Sequence, residues 1–149
     1  MRSKLLRGGS GEGEGERTWV LAFETGDPVV DTLRGFAGAQ DLRGAHFTAI
    51  GALREVTLRY FDWESKSYRD IPVPEQVEVL TMTGNVARSK EGDVKLHAHL
   101  IVGRSDGTTR GGHLKEAVVR PTLEVILTEE PAGLRRTFDE ETGLALLKP

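Results

Sequence analysis

The stretch "VKLHAHLIVGRSDGTTRGGHL", from Val94 to Leu114, has the pattern of two β-strands joined by a tight turn. Valine, leucine and isoleucine dominate the first arm, as in a partly buried strand. Ser-Asp-Gly is favourable chemistry for a three-residue hairpin loop in which the glycine takes the left-handed conformation. The stretch therefore predicts an antiparallel hairpin, and its loop sets the register between the two arms.

Side chains alternate across a strand, so the first arm has an apolar side and a polar side. The residues at even positions, from Val94 to Val102, are apolar and share one side. The other side carries Lys95, His97, His99 and Ile101. Two of the four histidines of the chain thus point away from the apolar side, toward solvent, a cleft or a partner chain.

The hairpin register predicts where a third histidine lies. If Arg104 pairs with Thr108, then His113 comes directly across from His99, on the face that also carries His97. A two-residue Asp-Gly loop would instead put His113 on the opposite face. A bulge at Gly111–Gly112 would also shift the pairing between the two arms. Convergence of the three histidines is therefore a conditional prediction.

Three neutral imidazoles form a ligand set that suits zinc or another divalent transition metal and leaves one coordination position open. The absence of cysteine excludes a thiolate zinc site, a catalytic cysteine and a disulfide framework. The alternative interpretation is that the histidines are partly exposed strand residues without a ligand. If the metal site exists, its affinity should fall as the pH drops and protons compete for the imidazoles.

Outward from the hairpin, the rest of the chain predicts a small α+β domain. The segment "VVDTLRGFAGA", 29–39, has apolar residues at helical spacing, with Asp27 and Pro28 suited to its start. Its Gly35 and Gly38 suggest that a neighbour packs closely. Short β-rich runs separated by turn residues predict an antiparallel or mixed sheet. They are "RTWVLAFE", "HFTAIGALREVTLRYFDW", "SYRDIPV", "VEVLTMTG" and "PTLEVILTE".

The amino end is predicted to be a disordered Gly/Glu-rich leader over residues 1–16, followed by one domain over residues 17–149. Gly8 to Gly15 contains five glycines in eight positions, too flexible and polar to join a core. Nothing in it has the pattern of a signal peptide or a membrane span, so we expect a cytoplasmic protein. A chain of 149 residues forms a core large enough to fold without disulfides or metal.

Several motifs resemble those of the PPC domain, the plants and prokaryotes conserved domain, in its stand-alone prokaryotic form. They are "VEVLTMTGNV", "LHAHLIVGRSDGTTRGGHL", "VRPTLEVIL", "GDPVVDTLRGFA" and "FTAIGALREVTL". The resemblance covers about Arg17 to Glu130. It implies a homotrimeric α+β fold and a metal protein with His97, His99 and His113 as ligands.

The family is often described as DNA-binding, and its plant members join this domain to an AT-hook with an Arg-Gly-Arg-Pro core. This sequence contains no such tract, and its net charge of −3 is spread over interleaved acidic and basic residues. We therefore expect direct DNA binding to be weak or absent. Two function classes stay open: a trimeric regulatory or small-ligand-binding module, and an enzyme whose metal activates water.

No catalytic residue is assigned from the sequence, and no organic cofactor site is predicted. His46 stands apart from the cluster and is expected to be a surface residue. Arg110 is a candidate for holding an anionic ligand beside the metal. Four glutamates are candidates for a general base, although an exposed strand carboxylate is usually only solvated. They are Glu24, Glu78, Glu116 and Glu124.

Overall fold

The computed structural model describes residues 1–8 and 16–148, which form one helix and nine strands of a single sheet. The helix is α1 (Val29–Ala39). The strands are β1 (Arg2–Arg7), β2 (Thr18–Glu24), β3 (Ala45–Asp62), β4 (Ser67–Val73), β5 (Val77–Arg88), β6 (Val94–Gly103), β7 (Thr109–Glu129), β8 (Arg135–Asp139) and β9 (Leu144–Lys148). The predicted small, mostly β domain with one main helix is confirmed. No helix among these residues is long and apolar enough to cross a membrane.

Two long strands, β3 and β7, form the centre of the sheet. They pair with each other, β5 lies beside β3, and β6 pairs with both β5 and β7. The strands β3, β5, β6 and β7 are thereby linked in a closed ring of antiparallel pairings. Their inward side chains include Phe47, Leu58, Met82 and Leu123, all buried.

Helix α1 covers part of this core through Val29, Leu33, Phe36 and Ala37. The apolar residues at three- and four-residue spacing place one stripe against the sheet. Gly35 and Gly38 lie instead on the exposed side, and a Cβ atom at either position would meet nothing within 4 Å. The expectation of close packing at these glycines was therefore wrong. Pro28 precedes the helix as its N-cap residue, and Asp27 accepts a hydrogen bond from the Glu24 amide.

The amino end differs from the predicted disordered leader. Residues 2–7 form β1, which pairs antiparallel with β2 and makes the edge of the sheet on that side. The pairing is supported by ion pairs from the amino terminus to Asp27 at 2.8 Å and from Arg2 to Glu24 at 2.9 Å. Backbone pairing with an existing edge needs no strong apolar pattern, which is why the sequence did not signal this strand. The Gly/Glu-rich segment 9–15 lies outside the described residues.

Candidate metal centre

The hairpin of β6 and β7 has the register that brings the three histidines together. The Arg104 amide donates to the Thr108 carbonyl at 2.9 Å, and Gly107 has φ +81° in the left-handed region. In this register His99 lies directly across from His113. The conditional prediction of convergence is therefore confirmed, and the Ser-Asp-Gly loop is its local cause.

The three imidazoles contact one another on the outer face of the sheet. Nε2 of His97 lies 3.1 Å from Nε2 of His99, and the ring centroids are separated by 4.9 to 5.4 Å. One ring nitrogen from each histidine lies within 4.8 Å of those of the other two. His97 and His113 are half-buried, whereas His99 is exposed. Three ring nitrogens at this spacing can reach a single ion at about 2.1 Å with small side-chain shifts.

Burial keeps two of the imidazoles neutral. Desolvation, followed by the charge of Arg136, lowers the pKa of His97 to about 4. Desolvation, followed by the neighbouring His99, lowers the pKa of His113 to about 4. Both side chains are therefore unprotonated at pH 7, which is the form in which histidine binds a metal.

An aromatic side chain and a short charge network support His113. The ring of Tyr68 lies 5.1 Å from the His113 ring, and the guanidinium of Arg59 lies over Tyr68. Asp70 accepts from Arg59 at 3.0 Å and from Lys115 at 2.6 Å. These contacts tie His113 to strands β3 and β4 and restrict its ring orientation.

Arg136 is a residue of this site that the sequence did not reveal. It is 9% exposed, and its Nη2 donates to Asn85 Oδ1 at 2.8 Å and to His97 Nδ1 at 3.1 Å. It comes from β8, which meets β5 where Arg135 pairs with Arg88. The alternating residues around "DEETG" could have indicated the β8–β9 hairpin. No local signal indicates which of its arginines points inward.

The other candidates are not part of the histidine group. His46 pairs with Glu130 at 2.7 Å, although it lines the same shallow cavity of about 360 Å³ as His97 and His99. Arg110 is next to Gly111, which pairs with Ile101, so the register puts Arg110 on the face opposite to His113. Among the described residues, the group contains no carboxylate. Glu24 instead pairs with Arg2, and Glu116 accepts from Thr57 at 3.1 Å.

A wider cavity of about 540 Å³ lies away from the histidines. It is bounded by the start of α1, by β3 and β4, and by the part of β7 around Glu116. Its charged groups are of both signs and include Asp31, Arg34 and Lys115. Among the residues that the structure describes, metal-ligand atoms converge at the histidine cluster and not in this cavity, so the cluster is the stronger candidate site.

A family model described as the Plants and Prokaryotes Conserved (PCC) domain matches residues 10–131. A metal-containing protein from Archaeoglobus fulgidus is 32% identical, with a TM-score of 0.80 over 89% of this chain and 93% of that chain. A protein from Bacteroides thetaiotaomicron, described as a candidate DNA-binding protein, is 27% identical. Its TM-score is 0.86 over 98% of this chain and 96% of that chain.

One curated relative is the bifunctional protein GlmU of a Synechococcus strain. The two sequences are 30% identical over 115 residues, which is 76% of this chain. That stretch is only 17% of the length of the relative. The likeness therefore concerns one segment of a much longer protein.

Proposed function

We propose that this chain, which belongs to the Plants and Prokaryotes Conserved (PCC) domain family and shares the fold of solved relatives, is a metal-binding module of the regulatory or small-ligand type. His97, His99 and His113 hold one divalent transition ion, with zinc the first choice. The observation that carries the proposal is the convergence of three ring nitrogens within 4.8 Å. The metal-containing relative from Archaeoglobus fulgidus supports it.

The donor set fits such an ion. Imidazole nitrogens suit zinc, copper and nickel, and three of them leave one position for a small ligand. His97 and His113 are neutral at pH 7, so neither ring carries the second, cationic proton that would oppose metal binding. A zinc ion held here would supply Lewis acidity, while Tyr68, which packs against His113, restricts the orientation of that ring.

The binding module is favoured over a metal-dependent hydrolase. A hydrolase needs a general base within hydrogen-bond reach of the metal-bound water, and a carboxylate commonly serves. The histidine group contains no carboxylate among the described residues. The activity of GlmU is not carried over, since the similarity covers a small part of that protein.

Homotrimeric assembly belongs to the same proposal. The outer face that carries the histidines also carries three exposed isoleucines, Ile50 at 59%, Ile101 at 45% and Ile126 at 44%. Ile126 pairs with Thr48, which pairs with Thr83, which pairs with His99, so these residues share one face. Apolar residues on the solvent side of an antiparallel sheet favour its burial against other copies.

Metal analysis of purified variants tests the site. After dialysis against zinc and then against zinc-free buffer, the wild-type protein is expected to retain one ion per chain. His99→Ala should retain much less than one, because only two of the three ligands would remain. His46→Ala is the matched control, since His46 borders the same cavity but pairs with Glu130.

Both variants should stay folded, because a core of this size forms without metal. Circular dichroism checks this. A full complement of zinc in a folded His99→Ala protein would rule out the three-histidine site.

A further inference from the structure

Arg136 is a buried cation to which no described residue offers an acidic partner. Its Nη1 donates to the Ala145 carbonyl at 2.9 Å and its Nη2 to Asn85 Oδ1, both neutral acceptors. It forms no ion pair with any carboxylate of residues 1–8 and 16–148. Its Nε is buried and has no hydrogen-bond partner in the part of the chain that the structure describes. Burying a charge is unfavourable unless a counter-charge and full hydrogen bonding compensate it, so this arginine lacks an anion.

Arg17 illustrates the partner that Arg136 lacks. Arg17 holds Glu129 in a two-point contact, with Nε 2.5 Å from Oε2 and Nη2 2.7 Å from Oε1. On Arg136 the same edge of the guanidinium has the unpartnered Nε and an Nη2 that donates to His97 Nδ1 at 3.1 Å. This edge matches the spacing of two carboxylate oxygens.

The contact between Arg136 and His97 is incompatible with metal binding through Nε2 of the neutral ring. A guanidinium has donors only, so Nδ1 of His97 must accept and carry no proton. A neutral imidazole that offers Nε2 to a metal carries its proton on Nδ1. Metal binding therefore deprives Arg136 of this acceptor and leaves the Nε–Nη2 edge in need of a new one.

The positive charge of the site also favours an anionic ligand. A divalent ion on three neutral imidazoles, together with Arg136, makes a centre of about three positive charges, and within residues 1–8 and 16–148 no carboxylate joins the histidine group to offset them. We infer that the ligand of this site is a small carboxylate anion that occupies the open metal position and pairs with Arg136. The inference rests on the proposed metal site. It concerns the β8–β9 hairpin, which lies beyond the residues matched by the family.

Cobalt-loaded protein tests this inference, with acetate as the carboxylate and acetamide as its neutral analogue of the same shape. Ligand binding is followed by the visible absorption of the cobalt at constant ionic strength. Acetate is expected to change the spectrum in a saturable way, and acetamide is not. Arg136→Met should weaken acetate binding about tenfold or more, as expected for a lost charge-assisted contact. The acetate affinity of Arg136→Lys should lie between those of the wild type and Arg136→Met.

Arg135→Met is the control, because Arg135 is exposed on the same strand, and it should bind acetate like the wild type. Equal acetate affinity in wild type and a folded, cobalt-loaded Arg136→Met protein would overturn the inference. So would acetamide binding as tightly as acetate to the wild type, a comparison that needs no variant to fold. If the wild type takes up no cobalt, the proposed metal site fails and the inference falls with it; if cobalt binds normally, only the inference is at stake.

Discussion

At the scale of single residues, burial decides how two of the imidazoles, His97 and His113, titrate. His97 and His113 are half-buried beside the Arg136 guanidinium, and their pKa values are lowered to about 4 from an ordinary value of 6.5. The folded protein therefore resists protonation at these two side chains, whereas the unfolded chain accepts protons at the ordinary pKa. A pH dependence of stability follows from this difference.

We predict that the metal-free protein loses stability as the pH falls from about 6.5 toward 4. Above pH 6.5 both states are unprotonated at these histidines and their contribution to stability is complete. Between the two pKa values only the unfolded state binds the protons, so the free energy of unfolding decreases; below about pH 4 the loss levels off. Urea unfolding in the presence of a chelator, at pH 7 and at pH 5, measures the effect.

The matched variant is the double replacement His97→Gln and His113→Gln, which removes both titrating groups. Its stability should depend less on pH between 7 and 5 than that of the wild type. Carboxylates with lowered pKa values, such as Asp27 and Asp70, act only at lower pH. An equal loss in the double variant would show that other groups carry the effect.

At the scale of elements, the approach of β6 to β5 positions two of the three ligands. Gly84 of β5 pairs with Ala98, the residue between His97 and His99. A Cβ atom at Gly84 would lie 2.5 Å from Phe47 Cζ and 2.6 Å from the His97 carbonyl oxygen. Because Gly84 has no side chain, β6 packs closely against β5 and Phe47, and both imidazoles project from the outer face.

We predict opposite effects of two Gly→Ala replacements. Gly84→Ala should destabilise the protein by roughly 1–3 kcal/mol, because the methyl group overpacks against Phe47 and the β6 backbone. Gly35→Ala should stabilise it by about 0.5–1 kcal/mol, since this exposed helix position has open space and alanine favours the helix. Urea unfolding at pH 7 measures both, and a destabilised Gly35→Ala would contradict the packing described for α1.

At the scale of the whole molecule, the outer face of the sheet joins the histidine site to an apolar surface. Ile50, Ile101 and Ile126 lie on this face, each more than 40% exposed in the single chain. Assembly through this surface would bring neighbouring copies close to the site. The outer face of the sheet would then determine both the oligomeric state and the access of a ligand to the histidines.

We predict a homotrimer in sedimentation at micromolar concentration. Replacing Ile50 and Ile126 together by aspartate should shift the protein to monomers, because two charges would be buried in the interface. Trp63→Asp is the control: Trp63 is equally exposed, at 52%, but lies at the turn between β3 and β4. A monomeric wild type, or a trimer unaffected by the double replacement, would refute this surface as the interface.

The charge of the whole chain predicts weak binding to DNA. With a net charge of −3, the protein lacks the basic excess that phosphate contacts require. Fluorescence anisotropy with a labelled duplex at physiological salt should give weak binding without sequence preference. Nanomolar, sequence-selective binding would contradict this expectation and support the description given to the relative from Bacteroides thetaiotaomicron.

The sequence by itself determined the features that depend on local patterns. Strand alternation separated His97 and His99 from the apolar side, and the Ser-Asp-Gly loop set the register that brings His113 to His99. The apolar spacing of 29–39 predicted α1, although Pro28, expected as its first residue, is its N-cap residue. Each of these follows from interactions within a few residues or across one hairpin, so no knowledge of the rest of the fold was needed.

Only the tertiary structure decided which distant residues meet the cluster. Arg136 reaches His97 because β8 returns to the end of β5, a contact between residues 39 positions apart. Tyr68 reaches His113 because β3 pairs with both β4 and β7. Strand β1 exists because β2 offers an unpaired edge. Such contacts depend on long-range packing. This packing buries His97 and His113, lowers their pKa values and places beside them a cation to which the described residues offer no acidic partner.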